Sequence, residues 1–209
     1  MTAMRDASMN TNMHNAFKRE ILRLRDGLRK ADLSDAKVTE GLARRYKFFF
    51  VTLHQHHQGE DTFLWPNIRP KANPQEIVVL DAMEAEHGAL ASVLGAIDED
   101  FKTLSANSDK DQIAARLDEL RTVLSGHTQH EEREGIPIVQ KYLEEDDFKA
   151  YVRFSRDGED ASLVLPWVSD GATPAEVAST WGMIPAPVRL FVKPMLTRKY
   201  AKFTQECGV

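Results

Sequence analysis

Residues 56–66 read HHQGEDTFLWP, and residues 127–137 read HTQHEEREGIP. Each stretch opens on a histidine, places a glutamate four residues later and a proline six residues after that: His56, Glu60, Pro66 and His127, Glu131, Pro137. Side chains at i and i+4 stack on one face of an α-helix, so each phrase presents an imidazole and a carboxylate to one place. Outward from the first phrase, proline is absent over residues 11–65 and again over 75–136, while WPNIRPKANP between them carries Pro66, Pro70 and Pro74 and reads as a broken connection. Shorter breaks at 30–35 and 105–111 are rich in Asp, Asn or Ser, the residues that cap helices. Four helical stretches result, roughly 12–36, 36–65, 75–104 and 109–145. Short connections make successive helices antiparallel, so the expected fold is all-α, an up-down-up-down four-helix bundle.

In such a bundle the buried stripe of each helix advances by alternating steps of three and four. The third stretch reads Leu80, Met83, His87, Leu90, Leu94, Ile97, Phe101, Leu104, apolar throughout except for His87. The second reads Leu42, Tyr46, Phe49, Leu53, His56, Glu60, Phe63, and the fourth Ile113, Leu117, Leu120, Leu124, His127, Glu131 and on to Ile138. The first reads His14, Phe17, Ile21, Leu24, Leu28. Six ionisable residues therefore fall on buried stripes: His14, His56, Glu60, His87, His127 and Glu131. Buried charges are paired or bound to metal, because an unpaired one is costly. At 1.5 Å rise per residue, all six lie about 15 Å from the connection at 66–74 or from the chain ends beside it. They can converge. Mixed imidazole and carboxylate ligation, with no thiolate, suits iron, manganese or zinc. The i, i+4 spacing separates the set from Glu-x-x-His sites, and no His-Glu-x-x-His is present.

The ordered set, with the phrases HHQGEDTFLWP and HTQHEEREGIP, resembles the hemerythrin-like (HHE cation-binding) family across residues 12–145. The resemblance implies two non-haem iron ions, carboxylate-bridged by Glu60 and Glu131, with an oxo or hydroxo bridge. It implies His14 and His56 on one iron, His87 and His127 on the other. Oxygen-carrying hemerythrins present a further histidine one turn along the third helix, where this chain has Met83 and Ala91. Four stripe histidines instead of five favour redox chemistry on hydrogen peroxide, dioxygen or nitric oxide over simple oxygen carriage. Catalase-like peroxide disproportionation in oxidative or nitrosative defence is the most concrete version. The rival readings are a non-enzymatic iron or oxygen binding or sensing module, an iron donor in iron–sulfur cluster repair, and a metal staple. The tail, with LVLPWV and IPAPVRLF, is similar to C-terminal extensions of actinobacterial members.

Other features set bounds. His57 with Asp61, and His130 with Glu134, form further i, i+4 pairs on the stripe flanks, where outer hydrogen bonding or exposure is expected. His54 is read as partly exposed and Tyr46 as core. Residues 146–209, with Pro166, Gly171, Pro174, Gly182, Pro185, Pro187 and Pro194, are expected as a short helical extension packed on the bundle. Residues 185–203 carry Arg189, Lys193, Arg198, Lys199 and Lys202 and no acidic residue, a stretch expected to dock on the acidic bundle and not on a membrane surface. A net charge of −5 argues against nucleic-acid binding. The single Cys207 and an N-terminus without a secretory pattern fit a reducing cytoplasm.

Overall fold

Polar residues at the breaks start the helices. The computed structural model describes residues 8–156 and 160–208. Helix α1 spans Ser8–Lys30 and ends on Arg29 and Lys30, cations that suit the partial negative charge of a helix C-terminus. The Asp35 carboxylate accepts the Lys37 N–H and starts α2, Ala36–Gly59. Asn73 and Glu76 close a reciprocal cap around Pro74 at the start of α3, Pro74–Lys102. Asp109 accepts the N–H groups of Asp111 and Gln112 and starts α4, Lys110–His130. Helix α1 packs on α2 and α4, and α3 packs on the same two, which closes a four-helix bundle. Among the described residues there is no strand.

Two of these helices do not stop where their α-geometry stops. After α2 the chain widens into a π turn over Glu60–Leu64 and resumes as α-helix over Trp65–Ile68. After α4 it does the same through Glu131–Gly135 into Ile136–Tyr142. Trp65 N–H bonds to Glu60 O, and Ile136 N–H to Glu131 O, each a residue longer than the α pattern. Pro66 and Pro137 follow at once; a proline ring collides with the carbonyl four residues back in a regular ladder, and the wider turn relieves that collision. The inserted residue shifts the downstream phase. Phe63, expected on the stripe, is half-buried, while Leu64 and Trp65 turn inward.

The stripes upstream are buried as the spacing predicts. Their apolar residues form two separate clusters. The larger holds Phe17, Leu53, Leu90 and Leu124 and runs to the far end of the bundle. The smaller, around Trp65, Ile68, Leu80, Met83 and Ile138, plugs the end beyond the π turns. Between the two lies a polar layer.

Four more helices follow: α5 (Glu145–Arg156), α6 (Ala161–Ser169), α7 (Pro174–Gly182) and α8 (Ala186–Cys207). Helix α5 packs on the first π turn and α2, α6 and α7 on α1, and α8 on α2 and α6. The last is not short: it runs 22 residues, straight through Pro194. Its C-terminal half docks through Tyr200, Phe203 and Cys207, whereas Leu190, Phe191 and Met195 in its first half are exposed. A buried ion pair, Glu20 with Arg45, anchors this layer: Trp167 of α6 donates its indole N–H to Glu20, and Tyr200 of α8 lies 3.4 Å from Arg45. No helix among the described residues is long and apolar enough to cross a membrane.

Candidate metal centre

The polar layer between the apolar clusters contains all six residues drawn from the stripes. Each is at most 6 % exposed, and Glu60, Glu131 and His14 are fully enclosed. On one side, His14 Nε2 of α1 lies 3.2 Å from His56 Nε2 of α2 and 3.1 Å from Glu131 Oε2. On the other, His87 Nε2 of α3 lies 3.2 Å from His127 Nε2 of α4. The glutamates join the sides. Glu60 sets Oε1 3.3 Å from His56 Nε2 and Oε2 3.5 Å from His87 Nε2. Glu131 Oε2 stands 3.8 Å from His127 Nε2 in addition to its approach to His14.

A seventh residue belongs to the layer. His57, expected on the flank, is 7 % exposed, stacks on His87 with ring centroids 4.3 Å apart, and groups with His87 and His127 as potential ligands to one cation. His14, His56 and Glu131 make the other such group. Neighbouring positions on a helix are about 100° apart. A single stripe accommodates only one of them, but α2 faces α1 on one side and α3 on the other at this depth, and His56 and His57 divide between them. The layer thus holds a fifth imidazole, from α2, beside the four of the stripes.

Outer partners orient the rings. His14 Nδ1 pairs with Glu132 Oε1 at 2.8 Å, His87 Nδ1 with Asp61 Oδ1 at 2.8 Å, and His127 Nδ1 with Glu86 Oε2 at 2.9 Å. A carboxylate only accepts, so each of these Nδ1 atoms carries a proton, and each ring is held with Nε2 aimed inward. The other oxygen of Glu86 holds His130, and Glu134 lies near the surface with Arg133. Asn10 donates to Glu131 Oε1 at 2.9 Å. Glu86, Glu132 and Asn10 carry no signal in the spacing, because their partners sit on other helices. His54 is exposed and stacks on Phe50.

Burial and close neighbours push the groups of this layer in opposite directions. Burial opposes a charge on His14, yet the Glu131 carboxylate 3.1 Å away and the Glu132 carboxylate bonded to its Nδ1 lift it to about 9. Burial and the charge on His14 drop His56 to about 3, and burial with His87 holds His57 well below the usual histidine range. Burial and the neighbouring Glu131 keep Glu60 protonated well above the usual carboxylate range. Burial would raise Glu131 too, but His14 draws it down to about 2.

Several inward atoms lack a partner. Both oxygens of Glu60, Oε2 of Glu131 and Nε2 of His57 are enclosed without a hydrogen bond, their approaches to the rings falling outside bonding geometry. An enclosed polar atom left unpaired costs about 1–3 kcal/mol, more when charged. Facing lone pairs at 3.2 Å repel unless a proton or a cation lies between them. Five imidazoles and two carboxylates aimed at one layer fit a pair of divalent or trivalent cations, and the donor set suits iron among others. A family model described as the hemerythrin HHE cation binding domain matches residues 8–139. No curated protein and no solved structure matches the chain.

Proposed function

The chain belongs to the hemerythrin HHE cation-binding family, and on that premise we propose that it holds two non-haem iron ions and reacts with a small ligand, hydrogen peroxide first among dioxygen and nitric oxide. The observation that carries the reading is the reach of Glu60, whose two oxygens approach imidazoles of both groups, His56 and His87. In this reading His14, His56 and Glu131 would hold one ion and His57, His87 and His127 the other, with Glu60 and Glu131 shared between them. Two adjacent irons supply a redox pair and a Lewis-acidic template for a two-oxygen ligand. The rest belongs to the chain. Glu132, Asp61 and Glu86 keep the Nδ1 protons in place and raise the basicity of the rings they hold. Phe17, at 5.5 Å between ring centroids from His56, and Met83 line the layer from its two apolar sides and exclude bulk water.

Peroxide disproportionation converts two hydrogen peroxide molecules into two of water and one of dioxygen, so it needs no outside electron donor. A second reading, reversible dioxygen binding, gains support from His57, which brings the imidazoles to the number found in the oxygen-carrier pattern. Donation of iron to damaged clusters has less support: Cys207 is buried against Gly41, about 22 Å along α2 from His56. A reducing, cytoplasmic setting is part of the proposal.

Metal analysis of the native protein, with optical spectra recorded under peroxide, dioxygen and nitric oxide, tests the reading. Two irons per chain and evolution of dioxygen from peroxide are expected, and Glu131→Ala should lose the paired irons. Iron that binds oxygen reversibly and leaves peroxide intact would select the second reading, and a Glu131→Ala variant that keeps both irons and the activity would overturn the bridging assignment.

A further inference from the structure

Three of the site histidines lean on carboxylates, but His56 does not. Its Nδ1 faces the hydroxyl of Tyr151, 3.4 Å away, on helix α5 outside the bundle. Tyr151 reaches that position through a gap made by Gly59. A Cβ there would stand 2.8 Å from Tyr151 Cε2 and 3.3 Å from Phe154 Cδ1. Phe154 in turn packs on Phe63 of the π turn, with centroids 5.3 Å apart, and fixes α5 over the opening.

A phenol differs from a carboxylate in one respect that matters here: it can donate as well as accept. Beside Glu132, Asp61 or Glu86 an imidazole has its proton pinned to Nδ1. Beside Tyr151, His56 can hold its proton on either nitrogen while Nε2 faces His14. Once a cation engages Nε2, the proton must sit on Nδ1, and the hydroxyl oxygen of Tyr151 is the acceptor within reach. We propose that Tyr151 is a positioning residue for the metal centre, accepting the Nδ1–H of His56 and so setting the orientation and donor strength of that one ligand. The inference rests on His56 being a metal ligand, as in the function proposed above. It makes the two metal positions unequal: at one, His87 and His127 lean on the charged Asp61 and Glu86, and at the other His56 leans on a neutral acceptor contributed from outside the bundle.

Cobalt(II) titration of the full-length metal-free protein tests it, because the visible bands of cobalt report the donor set directly. Tyr151→Phe keeps the ring against Gly59 and removes only the hydroxyl. One of two binding steps should weaken by about tenfold, the lower end for loss of such an outer partner, and its cobalt bands should shift. Unfolding of the metal-free variant should match wild type. Gly59→Ala, which displaces the same ring, should reproduce the loss. Wild-type cobalt affinity and spectrum in Tyr151→Phe would overturn the inference, whatever Gly59→Ala does. A wild-type protein that takes up no cobalt would overturn the proposed function itself, and this inference with it.

Discussion

Glu20 and Glu60 are both fully enclosed carboxylates, and the chain treats them in opposite ways. Glu20 receives four donors: Arg45 Nε at 2.6 Å, Arg45 Nη2 at 3.1 Å, Arg23 Nη1 at 2.8 Å and Trp167 Nε1 at 3.1 Å. Glu60 receives none, and its nearest neighbours are rings in poor geometry. The first carboxylate is a joint, satisfied by the protein and tying α6 to the bundle. The second is a receptor, left open toward the interior. Burial alone does not distinguish them. The presence or absence of donors does, and it separates a structural charge from one that awaits a ligand.

Substitutions can break this contrast. Arg45→Ala removes two of the four donors and the buried cation of the Glu20 pair, leaving Arg23 and Trp167, and chemical denaturation should show a loss of about 3 kcal/mol. Its metal uptake per folded chain should be unchanged. For the receptor, metal at about a hundredfold over its Kd should raise the unfolding free energy by about 2.7 kcal/mol, a gain erased by chelator. Trp167→Phe removes one donor to Glu20 and should cost about 2 kcal/mol in the same assay, with or without metal. The smallest effect belongs to Glu60→Met. In the metal-free protein it should leave stability unchanged or improve it by about 1 kcal/mol, since it deletes an unsatisfied polar group. That variant should also show no stabilisation by metal. A metal-free Glu60→Met protein as damaged as Arg45→Ala would mean that both carboxylates are joints.

Much of the bundle and half of the distinction were readable in advance. Three-and-four spacing picked out Leu53, Leu90 and Leu124, and the same count isolated Glu60 and Glu131 as misfits on apolar stripes. His57 escaped because a stripe is one residue wide, whereas the inward face of α2 at the metal layer touches two neighbouring helices. Spacing puts Phe63 on the stripe because periodicity assumes an unbroken α-helix, whereas the π turn over Glu60–Leu64 widens the helix there. Glu20, Arg45 and Tyr151 lie off the stripes, or beyond them, and meet partners far along the chain. Tyr151 is 95 residues from His56, and Trp167 is 147 from Glu20. Local spacing has no means of pairing them.

The two π turns have a consequence for anyone who would transplant this site into a designed bundle. The glutamate sits at the first residue of each widened turn, so its backbone carbonyl takes the long hydrogen bond. Grafting His-x-x-x-Glu onto a straight helix would copy the ligands but leave the plug beyond them rotated by about 100° out of phase. The portable unit is the whole run from histidine to proline, residues 56–66 or 127–137.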